Sequence, residues 1–493
     1  MTAELHGVMA ALSPGLVGFF LGAALGYRWY RDTPGAAYVF AGSGGVLAYL
    51  ALALYIRWQD AQGAQVFSPA LQPVLWFLLA LAVCLLFWAR PWGRVGQHVY
   101  PEVPGGGVGS GVLALVPMSA AVALLLALLA QNLAQVAINP LTSWDGLGLW
   151  TTWGEWFLHF DLDPEGARGR TRAEYGSFPW KHPRHPPTVY HLSAFSGYAL
   201  TQTELLRGWL VPWSFIWLCG AAAVWGCVRA CCTSRWMPAF AVVAYCSLPL
   251  LENHAILVGY ADFWVAIVVT IAAAILAVAL MTGNVGFWVV GLLCAVTPVG
   301  MKNTGILYSA ALILPLLVIF GAGAMPRVFL ALSAALIAAA CWFYLVGFDL
   351  NLAGRRFALI RGDDAQVLFG GYKMAFEPYP LVDILRNEVW AFLVHQSFSI
   401  VALLLAVAIA TSFLRGNALP APHRRALLYL SSVAVALILA FMLPQFITRY
   451  AERFAEPGSD LGGSRFLLAV GPVAIMAMAI VVRSLETPQH DAQ

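Results

Sequence analysis

Long apolar runs separated by short polar segments dominate the chain. A helix needs about 20 mostly apolar residues to cross the hydrocarbon core of a bilayer. Runs near this length predict thirteen membrane spans, and those near 236–251 and 285–300 are the shortest. The predicted spans lie near 7–27, 36–56, 71–89, 111–136, 208–228, 236–251, 259–281, 285–300, 304–322, 328–348, 389–414, 426–447 and 466–482.

The composition agrees with this pattern. Hydrophobic residues make up 61% of the 493 residues and charged residues 10%, whereas soluble proteins carry about 25% charged residues. A net charge of +3 excludes a strongly basic nucleic-acid binder, so we expect membrane lipid and no nucleic acid as partners. The 45 glycines and 19 tryptophans are typical of packed membrane helices with aromatic belts. The predicted fold is therefore an all-α polytopic membrane protein.

Arginines in the short loops predict how the chain is oriented in the membrane. If the spans alternate in direction, these arginines fall on one side, which the positive-inside rule assigns to the cytoplasm. The N-terminus is then outside and the C-terminus cytoplasmic, as expected for a multi-pass protein of the inner (plasma) membrane. The arginines concerned are Arg28, Arg31, Arg90, Arg94, Arg229, Arg235, Arg327, Arg415, Arg424, Arg425 and Arg483.

The acidic residues indicate that the chemistry faces outward. Most of them fall on the predicted outer side, which also holds two long segments, 137–207 and 349–388. Loops of this length are uncommon in a compact bundle unless they carry function. No cysteine lies in these outer segments, so the outer side does not depend on disulfides.

Asp145 is the first candidate for chemistry. It follows the fourth predicted span closely, and the spacing of Trp150, Trp153 and Trp156 suggests an amphipathic helix lying on the membrane surface. A carboxylate at the base of such a helix could serve as a base for a group arriving from the lipid. An ordinary helix cap before an interfacial helix is the alternative.

The segment HPRHPPTVYHL is the second candidate. A helix that begins at Pro186–Pro187 would be pre-organised by the fixed φ of proline. Nearby His182 and His185, with a neighbouring Lys and Arg, could receive phosphate or sugar hydroxyls. A rigid surface turn is the alternative, and a metal site lacks a third ligand at a telling spacing. The acidic turn DLDPEG resembles the start of a calcium loop, but Arg172 stands where the bidentate Glu is required.

Further charged residues lie at the outer ends of later spans. Glu252 is in a short outer turn, and Asp262 is in the first turn of the next helix, where it either favours the helix N-terminus or marks a site. Lys302 and Arg465 stand at outer helix junctions and could converge on one phosphate anion. Snorkelling and interfacial anchoring are the alternatives.

At these residues the sequence resembles bacterial GT-C superfamily glycosyltransferases, the polytopic class that uses polyprenyl-phosphate sugar donors. The similar segments, which cover about 140–305 and 460–475, are SWDGLGLW, HPRHPPTVYHL, GYADFWVAI, MKNTG and SRFLLAVGP. Relatives often carry an acidic residue where Thr304 stands. The first signature usually follows the first span, which suggests that three helices here form an N-terminal extension.

The resemblance implies an inverting transfer on the outer face of the membrane, with a glycan, lipid or protein as acceptor. Asp145 would be the catalytic base, and Lys302 and Arg465 would hold the leaving polyprenyl phosphate. It implies no certain cofactor, although a divalent metal is possible. Contacts to sugar or acceptor would come from His182, His185, Asp262, Trp144 and Glu252.

The predicted organisation has four parts: an N-terminal three-helix extension, a GT-C-like membrane core containing the outer loop 137–207, an outer lid, and the C-terminal helices. They span 1–110, 111–348, 349–388 and 389–493. A transporter or flippase of a lipid-linked or amphipathic solute is the main alternative function. It predicts charges deep within spans and an internal repeat, and the sequence shows neither. A structural assembly subunit is a third possibility, but it leaves the His-Pro segment unexplained.

Overall fold

The computed structural model is mostly helical, in agreement with the apolar pattern. It describes the chain in segments, and all structural statements concern these segments. They are 3–62, 67, 70–89, isolated positions between 119 and 134, 188–200, 211–234, 236–249, 251, 254, 261–302, 304–324, 345–352, 355–361, 365–369, 372–376, 399–414, 419–447 and 467–486.

Described helices coincide with all predicted spans except those near 111–136 and 328–348, which lie largely outside the described residues. The helices are α1 Ala3–Trp29, α2 Ala36–Ala61, α3 Leu71–Ala89, α4 Thr188–Leu200, α5 Val211–Cys231, α6 Met237–Cys246, α7 Ala261–Thr282, α8 Val285–Val296, α9 Pro298–Met301, α10 Gly305–Ala324, α11 Ser399–Leu414, α12 Ala421–Ile447 and α13 Val470–Glu486.

Six of the described helices are long and apolar enough to cross a membrane, namely α1, α2, α3, α5, α7 and α12. The protein is therefore a multi-pass helical membrane protein, and the total of thirteen spans stays a prediction. The predicted span at 236–251 contains only the 10-residue helix α6, which is about 15 Å long. The predicted span at 285–300 is divided into α8 and α9 around Thr297 and Pro298, because proline cannot donate the next helical hydrogen bond.

Helix α7 lies at the centre of the core and is buried from Ala261 through Leu280. Near its first residues, Trp264 packs edge-on against Trp213 of α5 and Tyr49 of α2, with ring centroids 5.5 and 5.6 Å apart. Such edge-to-face contacts add to the stability gained from burying the rings. The aromatic cluster therefore ties three helices together just below the first turn of α7.

The N-terminal helices belong to the same core. Gly18 of α1 lies so close to Gly44 of α2 that a Cβ at either position would overlap the other's carbonyl oxygen. Small residues allow membrane helices this close backbone approach. Tyr49 also donates a hydrogen bond of 3.1 Å to the Ala11 carbonyl. α1 and α2 are thus packed into the bundle, while the domain boundary predicted at residue 110 lies outside the described residues and stays a prediction.

The helices alternate in direction, so that the bundle has two distinct ends. At one end Arg28 of α1 lies over the Trp88 ring of α3, 5.1 Å from its centroid, and Arg483 of α13 donates to the Cys231 carbonyl of α5. We call this the basic end. At the opposite end Lys302 contacts Asp262, and we call it the pair end. The predicted alternation of the spans is consistent with both sets of contacts.

The segment between α10 and α11 contains a four-stranded antiparallel sheet in the order β1-β2-β3-β4. Its strands are β1 Phe348–Leu352, β2 Arg355–Ile360, β3 Gln366–Phe369 and β4 Tyr372–Ala375. Leu359 pairs with Phe348 and Val367, and together they form a small apolar cluster. The all-α prediction is therefore wrong for this segment. Its apolar residues alternate with a period of two, which is the pattern of strands, whereas a lid without strands was predicted there.

The opposite side of the sheet carries an exposed ion pair. Arg356 donates to both carboxylate oxygens of Asp349, at 2.6 to 3.2 Å. The hydrogen bonds from this guanidinium hold the pKa of Asp349 below its ordinary value. A pair so exposed contributes little to stability. The predicted function of 349–388 as a lid stays a prediction.

Candidate functional site

The pair end contains a buried ion pair between two sequence-predicted site residues. Nζ of Lys302 lies 2.5 Å from Oδ1 of Asp262, and the two side chains are only 8% and 1% exposed. Asp262 is the second residue of α7, and Lys302 directly follows α9. Because α7 runs away from the pair end and α8–α9 runs back to it, residues far apart in sequence meet there.

A break in the helical backbone presents Lys302. The residue has extended dihedrals, φ −149° and ψ 153°, between α9 and α10. Its carbonyl accepts a hydrogen bond of 2.9 Å from the Gly305 N–H, which closes a tight turn. A Cβ at Gly305 would overlap the Pro298 carbonyl oxygen, so only glycine fits this turn. The sequence Pro-Val-Gly-Met-Lys-Asn-Thr-Gly therefore encodes the break locally.

Burial of this pair has an energetic consequence. Desolvation of two charges costs several kcal/mol each, and a close ion pair offsets that cost only with good geometry. A buried ionisable pair beside a break in the helical backbone of a membrane protein is a functional-site candidate on physical grounds.

Helix α4, which carries the last residues of the segment HPRHPPTVYHL from Thr188 onward, reaches the same place. The Thr188 hydroxyl, in the first residue of α4, donates a hydrogen bond of 2.6 Å to the carbonyl of Gly300. Gly300 lies in α9, two residues before Lys302. The described part of α4 starts at Thr188, while Pro186 and Pro187 lie outside the described residues, so the predicted helix start at these prolines stays a prediction. Three of the five similar segments, HPRHPPTVYHL, GYADFWVAI and MKNTG, are therefore joined by contacts at the pair end.

His191 lies one turn further along α4 and is almost completely buried. The pKa of His191 is lowered to about 3, mainly because burial disfavours the charged imidazole; a hydrogen bond with the backbone of Ala53 opposes the shift, and the nearby charge of Arg57 adds to it. The imidazole is therefore neutral at physiological pH. It cannot serve as a cation for a phosphate.

Arg57 is a residue of this region that sequence reasoning missed. It is exposed in the last turns of α2, within electrostatic range of His191 on α4. In the sequence it follows an apolar span as one arginine among many, and nothing local links it to α4. The one signal in the sequence was that Arg57 is a cation at the predicted outer end of the second span.

The remaining sequence-predicted site residues lie outside the described residues. These are Asp145, Trp144, His182, His185, Glu252 and Arg465. Their assigned roles stay predictions. Asp262 and Lys302 are the two sequence-predicted site residues that the structure describes, and they are in contact. Among the described residues, no group of three or more His, Cys, Asp or Glu side chains could hold a metal ion. The possible divalent metal is thus an open expectation for the rest of the chain.

Comparisons with protein-family models, with curated proteins and with solved structures give no match. The chemistry of the pair end therefore rests on the residues that the structure brings together there.

Proposed function

We propose that the protein is a membrane glycosyltransferase of the GT-C type. It would move a sugar from a polyprenyl-phosphate donor to a glycan, lipid or protein acceptor at the outer face of the membrane. The observation that supports this proposal best is the contact network Thr188–Gly300 and Lys302–Asp262, which joins three GT-C-like segments at one end of the bundle.

In the proposed reaction Asp145 takes the proton of the acceptor hydroxyl. The acceptor oxygen then forms a bond to the anomeric carbon from the face opposite the leaving group, with inversion. The bond between that carbon and the phosphate oxygen breaks, and its electron pair leaves with the polyprenyl phosphate. Lys302 and Arg465 stabilise the charge that develops on the phosphate, an electrostatic effect that is worth several kcal/mol in known enzymes.

Asp262 has a distinct task in this proposal. The Lys302 ammonium carries three N–H donors, and Asp262 accepts one of them. The carboxylate keeps the buried ammonium charged and fixes its direction, which prepares it for a phosphate oxygen. His182, His185, Trp144 and Glu252 would then contact the sugar or the acceptor.

The orientation follows from the distribution of arginine. Helix ends at the basic end carry Arg28, Arg229, Arg424 and Arg483, and the positive-inside rule assigns such an end to the cytoplasm. We therefore propose an inner-membrane protein whose N-terminus and pair end face outward and whose C-terminus is cytoplasmic. Membrane-impermeant labelling of single cysteines within 137–207 tests this, and labelling only from the cytoplasmic side would refute it.

A transporter or flippase of a lipid-linked solute is the second candidate. A buried ion pair beside a broken helix is also found in substrate paths of transporters. Transporter sites lie near the bilayer midplane. Asp262 and Lys302 instead lie at helix ends. This location favours chemistry at the water–lipid boundary over transport.

Sugar transfer from polyprenyl-phosphate donors by the purified protein in nanodiscs tests the proposal. Asp145→Asn should abolish turnover while donor binding persists. Asp163→Asn, in the acidic turn of the same outer segment, is the matched control and should retain activity. Near-normal turnover in Asp145→Asn would exclude the base assignment. Movement of an intact lipid-linked solute across the bilayer, without sugar transfer, would favour the transporter.

A further inference from the structure

The basic end carries an aromatic and cationic surface that the proposed sugar transfer does not use. Arg28, in the last turn of α1, lies over the ring of Trp88, in the last turn of α3, with 5.1 Å between the guanidinium carbon and the ring centroid. Trp88 is 70% exposed with this guanidinium above it, and Trp29, next to Arg28, is 69% exposed. Exposed tryptophans at the ends of membrane helices mark the level of the lipid headgroups. The guanidinium therefore lies at the depth of phospholipid phosphates.

The position of Arg28 depends on the packing of α1 against α3. A second ring contact holds the same two helices together, since His6 of α1 stacks on Trp76 of α3 with 5.7 Å between the ring centroids. A cation over an aromatic ring is attracted by the negative face of the ring. This attraction orders the long side chain of Arg28, so less conformational entropy is lost when the guanidinium binds an anion.

The charge of Arg28 is available to an anion. Within the part of the chain that the structure describes, no carboxylate forms an ion pair with Arg28. The acidic residue nearest to it in the sequence is Asp32, whose Oδ1 lies 3.7 Å from Nε of Arg31. Two arginines and one aspartate leave the residues from Arg28 to Asp32 with a net positive charge. A planar guanidinium suits phosphate, because it donates paired hydrogen bonds to the phosphate oxygens.

Apolar side chains beside this contact are suited to acyl chains. Leu25 lies one turn before Arg28 in α1 and is 38% exposed, and Leu85 lies one turn before Trp88 in α3 and is 36% exposed. Residues three apart lie on the same face of a helix. Each leucine is therefore about 4.5 Å deeper in the membrane than the residue that follows it on this face. A phosphate at Arg28 would place the acyl chains of the same lipid beside these leucines.

We infer that Arg28 and Trp88 form a binding site for an anionic phospholipid. The ligand class is a phosphodiester that carries acyl chains, such as phosphatidylglycerol. The guanidinium binds the phosphate, the exposed indole contacts the glycerol region, and the leucines contact the acyl chains. A zwitterionic lipid binds less well, because its own cation offsets the phosphate charge that attracts Arg28. Basic pockets between membrane helices bind anionic headgroups in other proteins. The inference goes beyond the proposed function and does not depend on it.

Titration of the full-length protein in a nonionic detergent with phosphatidylglycerol, followed by native mass spectrometry, tests the inference. The unaltered protein should bind phosphatidylglycerol about tenfold more tightly than phosphatidylcholine. Arg28→Gln should weaken the dissociation constant for phosphatidylglycerol about tenfold, as expected for loss of a charge-assisted hydrogen bond. Arg28→Lys should recover part of the affinity, since the charge is kept and the planar donor pair is lost. Arg425→Gln, which removes an exposed arginine near the start of α12 at the same end, is the matched control and should bind as the unaltered protein does.

The ring of Trp88 should contribute separately. Trp88→Leu removes the surface that orders the guanidinium and should weaken the dissociation constant about threefold, whereas Trp88→Phe should retain most of the affinity. Both Arg28 and Trp88 are exposed, so their variants should keep the thermal midpoint of the unaltered protein.

Three results would overturn the inference. Equal affinity of the unaltered protein for phosphatidylglycerol and phosphatidylcholine would show that the site does not distinguish the headgroup charge. Equal weakening in Arg28→Gln and Arg425→Gln would show that the total charge of the basic end suffices. Competition by glycerol phosphate at the same concentration as the lipid would identify a site for a free anion, since this compound has no acyl chains.

Discussion

The ammonium of Lys302 and the carboxylate of Asp262 meet at 2.5 Å and connect the break between α9 and α10 to the first turn of α7. Forty residues separate the two in sequence, and both side chains are almost completely buried. This pair links α7, at the centre of the core, to the turn after α9, in which only glycine fits at position 305. Its integrity should therefore govern both stability and binding at the pair end.

Removal of one member of the pair should be more harmful than removal of both. Lys302→Met leaves a buried carboxylate without its counter-charge, and we expect a loss of about 3–5 kcal/mol in the free energy of unfolding. Lys302→Met combined with Asp262→Asn should recover most of this loss. Thermal midpoints of the two single variants and the double variant complete a double-mutant cycle. Additive effects would show that the pair is not energetically coupled.

Two glycines near the break between α9 and α10 should differ in their response to alanine. Gly305→Ala places a Cβ against the Pro298 carbonyl oxygen, so the turn that presents Lys302 must shift. At Gly300 the nearest atom to a Cβ is the Thr188 hydroxyl oxygen at 3.8 Å, an ordinary contact distance. We expect Gly305→Ala to lower the thermal midpoint markedly and Gly300→Ala to leave it nearly unchanged. Equal thermal midpoints for the two variants would contradict the described turn.

The hydroxyl of Thr188 should be required for the contact between α4 and α9. Thr188→Val keeps the shape but removes the donor to the exposed Gly300 carbonyl, at an expected cost of about 0.5–1.5 kcal/mol. Thr188→Ser keeps the hydroxyl and should retain most of the stability. Chemical denaturation in detergent micelles measures both variants. If Val and Ser have the same effect, the hydrogen bond does not hold the two segments together.

Stability should depend on pH through His191. Its folded-state pKa of about 3 lies below the ordinary 6.5, so the folded state prefers the neutral imidazole. The associated stability is fully present above pH 6.5, falls as the pH drops from 6.5 towards 3, and is absent below. The shift corresponds to a few kcal/mol, on the order of 5 kcal/mol at most. Thermal midpoints of the unaltered protein and of His191→Gln, measured across this range, should converge as the pH falls.

Local properties of the chain predicted much of the site. Asp262 lies in the first turn of α7, as its place at the start of an apolar run predicts, because a run boundary is a short-range signal. The sheet was missed because its strands are only four to six residues long and lie among charged residues. Period-two alternation over so few positions is a weak signal beside the long apolar runs around it.

The sequence did not predict which groups the charged side chains contact. The predicted convergence of Lys302 and Arg465 on one anion stays a prediction, because Arg465 lies outside the described residues. The contact of Lys302 with Asp262 was not predicted from the sequence. The influence of Arg57 on His191 likewise depends on the packing of α4 against α2, which joins residues far apart in the sequence. A charge pattern gives the end of the bundle at which a residue lies, because helices that cross a bilayer must alternate, but it does not give the neighbouring helix.

The sequence alone determined that this is a multi-pass helical membrane protein, and it predicts that the arginines of the short loops share one side, since apolar run length and loop charge act locally along the chain. Only the tertiary structure decided which helices are neighbours. Close glycine contacts and interlocking aromatic rings select those neighbours, and they depend on shape over residues far apart in sequence. That selection brings Thr188 to Gly300 across 112 residues and gives Lys302 its buried partner.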